Sequence, residues 1–321
     1  MPYKDRSVGL VVFGILTILL GCLSGLLVPL MLFGQAMAAT VPNAQPANFS
    51  TILPAIFMYG GMAAALVSLG IGSVMARRWA RALLLIFSWS WLVFGLFEVV
   101  AMTLIMPKVL ANLSSTGTAD HPAVNASVMG GIMAGMFLVL GVMFVIFPAI
   151  WTYFYNSRHV KATCEARDPV TRWTDACPLP VLALCLWALF CVPMLLAMPI
   201  AGHCVAPFFG MFLTGIPAAL FYLFLAGLWT YASWLSYKLD VRGWWLILAA
   251  LCIGIASMVI TYAQHDILEM YRLMNYPESQ IEQIQKSGIL MGNGMIWLTV
   301  FSAVPFLGYL IFIKKYFRQK S

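Results

Sequence analysis

Glu98 lies in WLVFGLFEVVAMTLIMP (residues 91–107), an acid inside an otherwise apolar stretch. On a helix rising ~1.5 Å per residue it is about eight residues, or roughly 12 Å, from the polar end of that run. An ionised carboxyl at the centre of a bilayer costs about 2.5 kcal/mol or more, so Glu98 is expected to be protonated or paired. Two chemistries follow: a proton or cation site that works by ionising, or a neutral carboxyl hydrogen-bonded within a helix bundle. Gly95 and Met102 share its helical face, which predicts protein rather than lipid around it.

Metal and nucleophile chemistry find less support. His121, His203 and His265 fall near Asp120, Asp266 and Glu269. No HxxxH pair sets two imidazoles on one helical face, so no metal site is predicted. Cys164 and Cys177 share a segment with His159, but no CxxC completes a zinc set. Cys22, Cys185, Cys191 and Cys252 fall within apolar runs, where cysteine behaves as a small hydrophobe, and Cys204 has no evident partner. There is no nucleotide loop, HExxH, GxSxG, quinone or haem pattern, so no catalytic set and no cofactor are expected.

Two basic, tryptophan-bearing clusters interrupt the apolar sequence: ARRWARALLL (76–85) and DVRGWWLILA (240–249). Arginine and tryptophan are enriched where a chain leaves a membrane, so Arg77, Arg78, Trp79, Arg81, Arg242, Trp244 and Trp245 are read as interfacial anchors.

The elements that must position these residues are membrane helices. Of 321 residues, 62% are hydrophobic and only 9% charged, far from the ~25% charged of soluble domains. The apolar runs are continuous, without the alternation of a lipid-facing barrel, so the expected fold is all-α and polytopic. Eight transmembrane helices are predicted, near 8–33, 51–75, 82–106, 127–154, 180–200, 213–236, 244–264 and 289–313. AGHCVAPFFGMF (201–212) is too apolar for an aqueous loop and is expected to lie at the interface or to dip back inward. The first helix resembles a lipoprotein box at Cys22 and a signal-peptidase site at 36–38, but its apolar run is too long for a signal and is expected to stay uncleaved.

Charge sets the orientation. With the N-terminus inside, all of the 18 Lys and Arg residues except Lys108, Arg272 and Lys286 fall in cytoplasmic segments. Both termini are therefore expected in the cytoplasm, in a plasma or inner membrane. The same rule accounts for the net charge of +7, so the lipid bilayer is the expected partner and nucleic acid is not. The sequons at Asn48, Asn112 and Asn125 fall in segments assigned to the outside.

An internal duplication relates the two basic clusters. Arg77-Arg78-Trp79 placed on Arg242-Gly243-Trp244 gives an offset of 165, VPLML (28–32) on VPMLL (192–196) gives 164, and LPA (53–55) on IPA (216–218) gives 163. Two four-helix parallel repeats, 1–165 and 166–321, are expected, related by an axis along the membrane normal. The GxxxG pairs Gly21/Gly25, Gly131/Gly135 and Gly288/Gly292 are expected to let helices approach closely. Pro29, Pro148, Pro193, Pro217 and Pro305 are expected to kink or break theirs.

Outside, residues 107–125 read as a polar coil. In 266–288, Ile267, Leu268, Tyr271 and Met274, then Ile281 and Ile284 beyond Pro277, predict two short amphipathic helices on the outer surface, for a membrane-protein partner to dock on or for contact with the membrane itself. The first functional reading is thus a structural or accessory membrane protein that engages partners or lipids. The alternative is a small-solute or proton-coupled transporter with a pathway at the repeat interface; an enzyme comes third, because one carboxylate is a poor active site.

Overall fold

The computed structural model describes residues 4–38, 40, 49–115, 126–201, 204–287 and 294–317. In chain order it forms α1 (Ser7–Ala38), α2 (Phe49–Val74), α3 (Arg78–Ser115), α4 (Ala126–Gly141), a π-helical turn (Val142–Ile146), α5 (Phe147–Asn156), α6 (Arg158–Arg167), α7 (Leu179–Ala201), β1 (Val205–Phe208), β2 (Met211–Thr214), α8 (Ile216–Tyr237), α9 (Val241–Gln264), α10 (Ile267–Leu273), α11 (Glu278–Ser287) and α12 (Gly294–Phe317). Among the described residues, eight helical stretches are long and apolar enough to cross a membrane, one for each predicted span. This is the build of an integral membrane protein. Two compact units divide the chain: Met1–Met106 with Gly117–Leu179, and Pro107–Thr116 with Pro180–Ser321.

In the first unit, α1 and α2 run antiparallel along a seam of glycines. A methyl built on Gly14 would come within 2.8 Å of the Gly70 carbonyl oxygen, and one on Gly70 within 2.7 Å of that of Gly14. Gly21 meets Val67 and Ala63 in the same way, so one expected GxxxG pair packs α1 on α2, whereas Gly131 and Gly135 meet nothing within 4 Å among the described residues. At the end of the unit that carries Ser7, a core forms from Leu10, Leu69, Leu84, Trp151, Tyr155 and Val160 among others. Ser73 Oγ donates to the Leu10 carbonyl at 3.0 Å, which leaves it to accept from the Tyr155 hydroxyl at 2.8 Å.

Pro148 has no N–H for the Phe144 carbonyl four residues earlier. The helix widens at that point: the Phe147 N–H bonds to the Val142 carbonyl, five residues back. Gly95 of α3 lies against the same turn, where a Cβ would collide with the Phe144 carbonyl. The other expected kinks take different forms. Pro29, Pro193 and Pro305 lie inside continuous helices, and Pro217 occupies the first turn of α8, where its missing N–H costs nothing.

The second unit packs Val181, Leu184, Trp244, Ile247, Leu310 and Ile313 at the corresponding ends of its four long helices. From Val205, within the apolar 201–212 segment, β1 and β2 form a hairpin in register Val205↔Thr214 to Phe208↔Met211. Phe209 and Gly210 at its tip have φ of 42° and 85°, the two positive values that a two-residue turn matching strand twist needs. Two further expectations change. The segment read as a polar coil from residue 107 is helical as far as Ser115, and α6 fills a segment assigned no helix. The two short helices expected in 266–288 are present as α10 and α11, with Ile267, Leu268 and Ile281 buried.

Both units make the same turn between their second and third long helices. Ala76 (φ 52°) and Leu239 (φ 60°) end α2 and α8 in the left-handed region, at positions 163 apart. The Arg77 N–H returns to the Gly72 carbonyl and the Asp240 N–H to that of Leu235, with Ala76 to Ser73 and Leu239 to Ser236 beside them. That is the Schellman pattern. The close approach it forces is also shared, with the glycine exchanged: a Cβ on Gly72 would be 2.6 Å from Ala80 Cβ, and one on Gly243 2.9 Å from Leu235 Cβ.

Candidate functional site

The charged end of the first unit is closed by a folded cap. Residues 157–178 join two long helices where about 2–8 residues suffice. α6 turns Val160, Thr163 and Cys164 inward and leaves Lys161 and Glu165 exposed, a helical period of burial. The cap is tied to the start of α1 by the Arg6 N–H to Thr163 Oγ1 (3.1 Å) and the Lys4 N–H to His159 Nδ1 (3.3 Å), and by Arg167 to Asp5 at 3.5 Å.

Asp168 is the hub. Its side chain is 2% exposed and pairs with Arg77 at 3.6 Å and Arg172 at 3.4 Å. It also accepts the Arg78 N–H at 3.3 Å, an orphan donor at the first turn of α3. Burial opposes its ionisation, yet the Arg172 hydrogen bond, the Arg78 N–H and the charges of Arg172 and Arg77 together hold the carboxyl below its usual range. Arg78 reaches Glu165 at 3.8 Å and Asp175 at 3.6 Å, and Lys161 also reaches Glu165 at 3.8 Å. Arg81 pairs with no carboxylate among the described residues, and its Nε is buried without a hydrogen-bond partner.

The sequence reading placed Arg77, Arg78, Trp79 and Arg81 among headgroups as one cluster. In the structure the arginines turn to acids of the cap or into the protein, and Trp79 packs half-buried on the core beneath. In the second unit, Arg242 is exposed and its N–H is capped by Asp240 at 2.9 Å. Trp244 is buried and donates to the Leu310 carbonyl at 2.8 Å, whereas Trp245 is 53% exposed. Lys314 Nζ lies over both rings, 4.7 and 5.1 Å from their centroids. The acids that organise the first cluster, Glu165, Asp168 and Asp175, were missed. Their signal was the mixing of acids into a basic segment, CEARDPVTRWTD (164–175), where a loop retained by charge alone would need only cations.

Glu98 is exposed and makes no hydrogen bond or ion pair among the described residues, although Gly95 is buried. Three residues turn a helix 60° short of a full turn, and Glu98 follows the exposed Phe94 instead. Cys164 and Cys177 are buried thiols, each pushed up to about 11 by that burial, the reverse of what a zinc ligand or nucleophile requires. Asn48, His121, Asn125 and His203 lie outside the described residues. Asp266 caps α10 through the Leu268 N–H at 3.3 Å, and no cluster of metal ligands forms among the described residues.

At the other end of the second unit the hairpin tip is pinned to α9. The Phe209 N–H donates to Ser257 Oγ and the Gly210 N–H to Thr261 Oγ1, both at 3.0 Å. His265 brings Nε2 within 3.0 Å of the Gly210 carbonyl and Nδ1 within 2.8 Å of Glu269. Side chains of α9 thus serve the polar groups of the hairpin tip, and Tyr222 donates to the Val205 carbonyl at 2.9 Å. No protein-family model, curated protein or solved structure matches this chain.

Proposed function

We propose that the chain is an accessory integral membrane protein, both termini in the cytoplasm, that holds a membrane-protein partner at its charged end. The cap supports this reading. Fixing the backbone of a residue costs about 1–2 kcal/mol, and residues 157–178 are ordered by a buried carboxylate and ion pairs although a connection alone needs far fewer. The result is a fixed charged surface that also carries exposed Val170 (60%) and Trp173 (50%), the mixed character of a docking face. α10 and α11 form a second contact at the far end of the other unit, the partner segment 266–288.

A parallel duplication of a four-helix unit belongs to this reading. The shared Schellman turn and exchanged glycine support it, and they move the correspondence of the basic clusters from an offset of 165 to 163. Photo-crosslinkers placed at Glu165 and at Tyr271 in the membrane of origin test the role. Each is expected to capture a discrete, reproducible adduct that survives gentle detergent; only uncrosslinked monomer from both sites would defeat the proposal.

A further inference from the structure

We infer that the cavity between α3, α5 and the cap is a binding site for a phosphate ester, offered by an anionic lipid headgroup or by a soluble phosphate compound. The cavity has a volume of about 380 Å³, within the ~300–1,000 Å³ of small-molecule sites. Four cations line it, Arg78, Arg81, Arg158 and Lys161, against two carboxylates, Glu165 and Asp175. The carboxylates are engaged by Arg78 and Lys161, which leaves Arg81 and Arg158 without an acid among the described residues.

Two residues that line the cavity each carry a buried polar atom with no partner among the described residues: Arg81 at Nε, and Thr174, 2% exposed, at its hydroxyl. Each such group costs about 1–3 kcal/mol if nothing meets it; both are closed to water, so an oxyanion accepts from them once the Arg81 and Thr174 side chains turn toward the cavity. The adjacent end of α6 adds to the demand. Its first turn holds no acid, Ser157 provides no side-chain cap, and Arg158 and Lys161 stand there against the helix dipole. Positive charge is thus concentrated where a helix alone would favour an anion. A phosphate suits this set better than a carboxylate, because its oxygens can take the guanidinium fork and the hydroxyl together. Basic pockets at the ends of membrane helices hold lipid phosphates by this chemistry.

The inference rests on the accessory reading only in placing the charged end at a membrane surface. Full-length protein in neutral detergent is mixed with phosphatidylglycerol, with net-neutral phosphatidylcholine, or with glycerol 1-phosphate, and its unfolding temperature is followed. A rise with phosphatidylglycerol alone assigns the site to lipid, a rise with glycerol 1-phosphate alone assigns it to a soluble ligand, and a rise with both but not with phosphatidylcholine shows that a net-anionic phosphate ester suffices. No rise, or an equal rise with phosphatidylcholine, overturns the site. Arg158→Gln with Lys161→Gln, both at exposed positions, is expected to weaken half-saturation at least tenfold. Thr174→Val is expected to weaken it several-fold with the charges intact, while Arg242→Gln leaves it unchanged; equal weakening by Arg242→Gln overturns the assignment. The crosslinking result is read separately. A captured partner without a phosphate effect keeps the accessory role and removes this site, and a phosphate effect without a partner does the reverse.

Discussion

Two acids, Asp168 and Glu98, show how position decides what a carboxyl does. Asp168 is held by Arg77, Arg172 and a helix N–H, so Asp168→Asn removes charge-assisted bonds of about 1.5–3 kcal/mol and should lower the unfolding temperature. Glu98 has no such partner among the described residues, so Glu98→Gln is expected to change stability by no more than about 0.5 kcal/mol. Thermal unfolding of the two variants checks the contrast. A loss of function in Glu98→Gln at unchanged stability would favour the proton-site alternative. His265 adds a dependence on pH. Both of its ring nitrogens face acceptors, so both bonds form only when the ring carries two protons. The Glu269 hydrogen bond, then the Gly210 carbonyl, raise its pKa above 6.5. A raised folded pKa means stabilisation is complete below the unfolded value and is lost as pH climbs through the folded one. Hydrogen exchange at Phe209 and Gly210, corrected for intrinsic rates, should therefore accelerate above about pH 6.5, and His265→Gln should abolish that pH dependence.

At the scale of elements, periodicity and length made the eight long helices legible, and Ile267, Leu268 and Ile281 marked α10 and α11. The hairpin was not legible, because VAPFFGMFLT is apolar on both strands and its specification lies in Ser257, Thr261 and His265, some fifty residues away. Nor was the cap, since burial of Asp168 depends on arginines 90 residues earlier. The shared turn separates local strain from packing. A left-handed non-glycine residue costs about 1–2 kcal/mol, while deleting a buried methyl costs about 0.8. Ala76→Gly should thus be neutral or stabilising by up to about 1 kcal/mol. Leu239→Gly relieves the same strain but strips a side chain partly buried on the second core, a loss of at most about 1.5–3 kcal/mol, and should run from neutral to destabilised by up to about 2 kcal/mol. The glycine seam allows a parallel test. Gly14→Val drives a methyl into the Gly70 carbonyl and should cost about 1–3 kcal/mol, whereas Gly60→Val, with nothing within 4 Å, should not. Melting curves in one detergent read all four variants.

For the whole molecule, the distribution of charge and the count of spans constrain each other. Each unit holds four long apolar helices, with most of its described basic residues at the end where its core lies and Arg272 of α10 at the other. If the eight helices all cross, the even number returns the C-terminus to the side of the N-terminus, and the proposed orientation, argued from the short basic segments, makes that side the cytoplasm. Cysteines introduced at Ser157 and Ser321 should then react with an impermeant maleimide only after the inner face is opened, and one at Ser115, at the end of α3, should react from outside in intact cells. The native cysteines at 22 and 252 are exposed along spans and give the background to subtract. Ser157 tests the cap, because α4 and α5 must cross together as one helix through the π turn to bring it inside. If residues 133–156 instead returned to the outer face at Pro148, Ser157 would label with Ser115 and the two Schellman turns would face opposite sides. Labelling of Ser115 and Ser321 from one side would remove the eight-span topology altogether, and with it the equivalence of the two four-helix units.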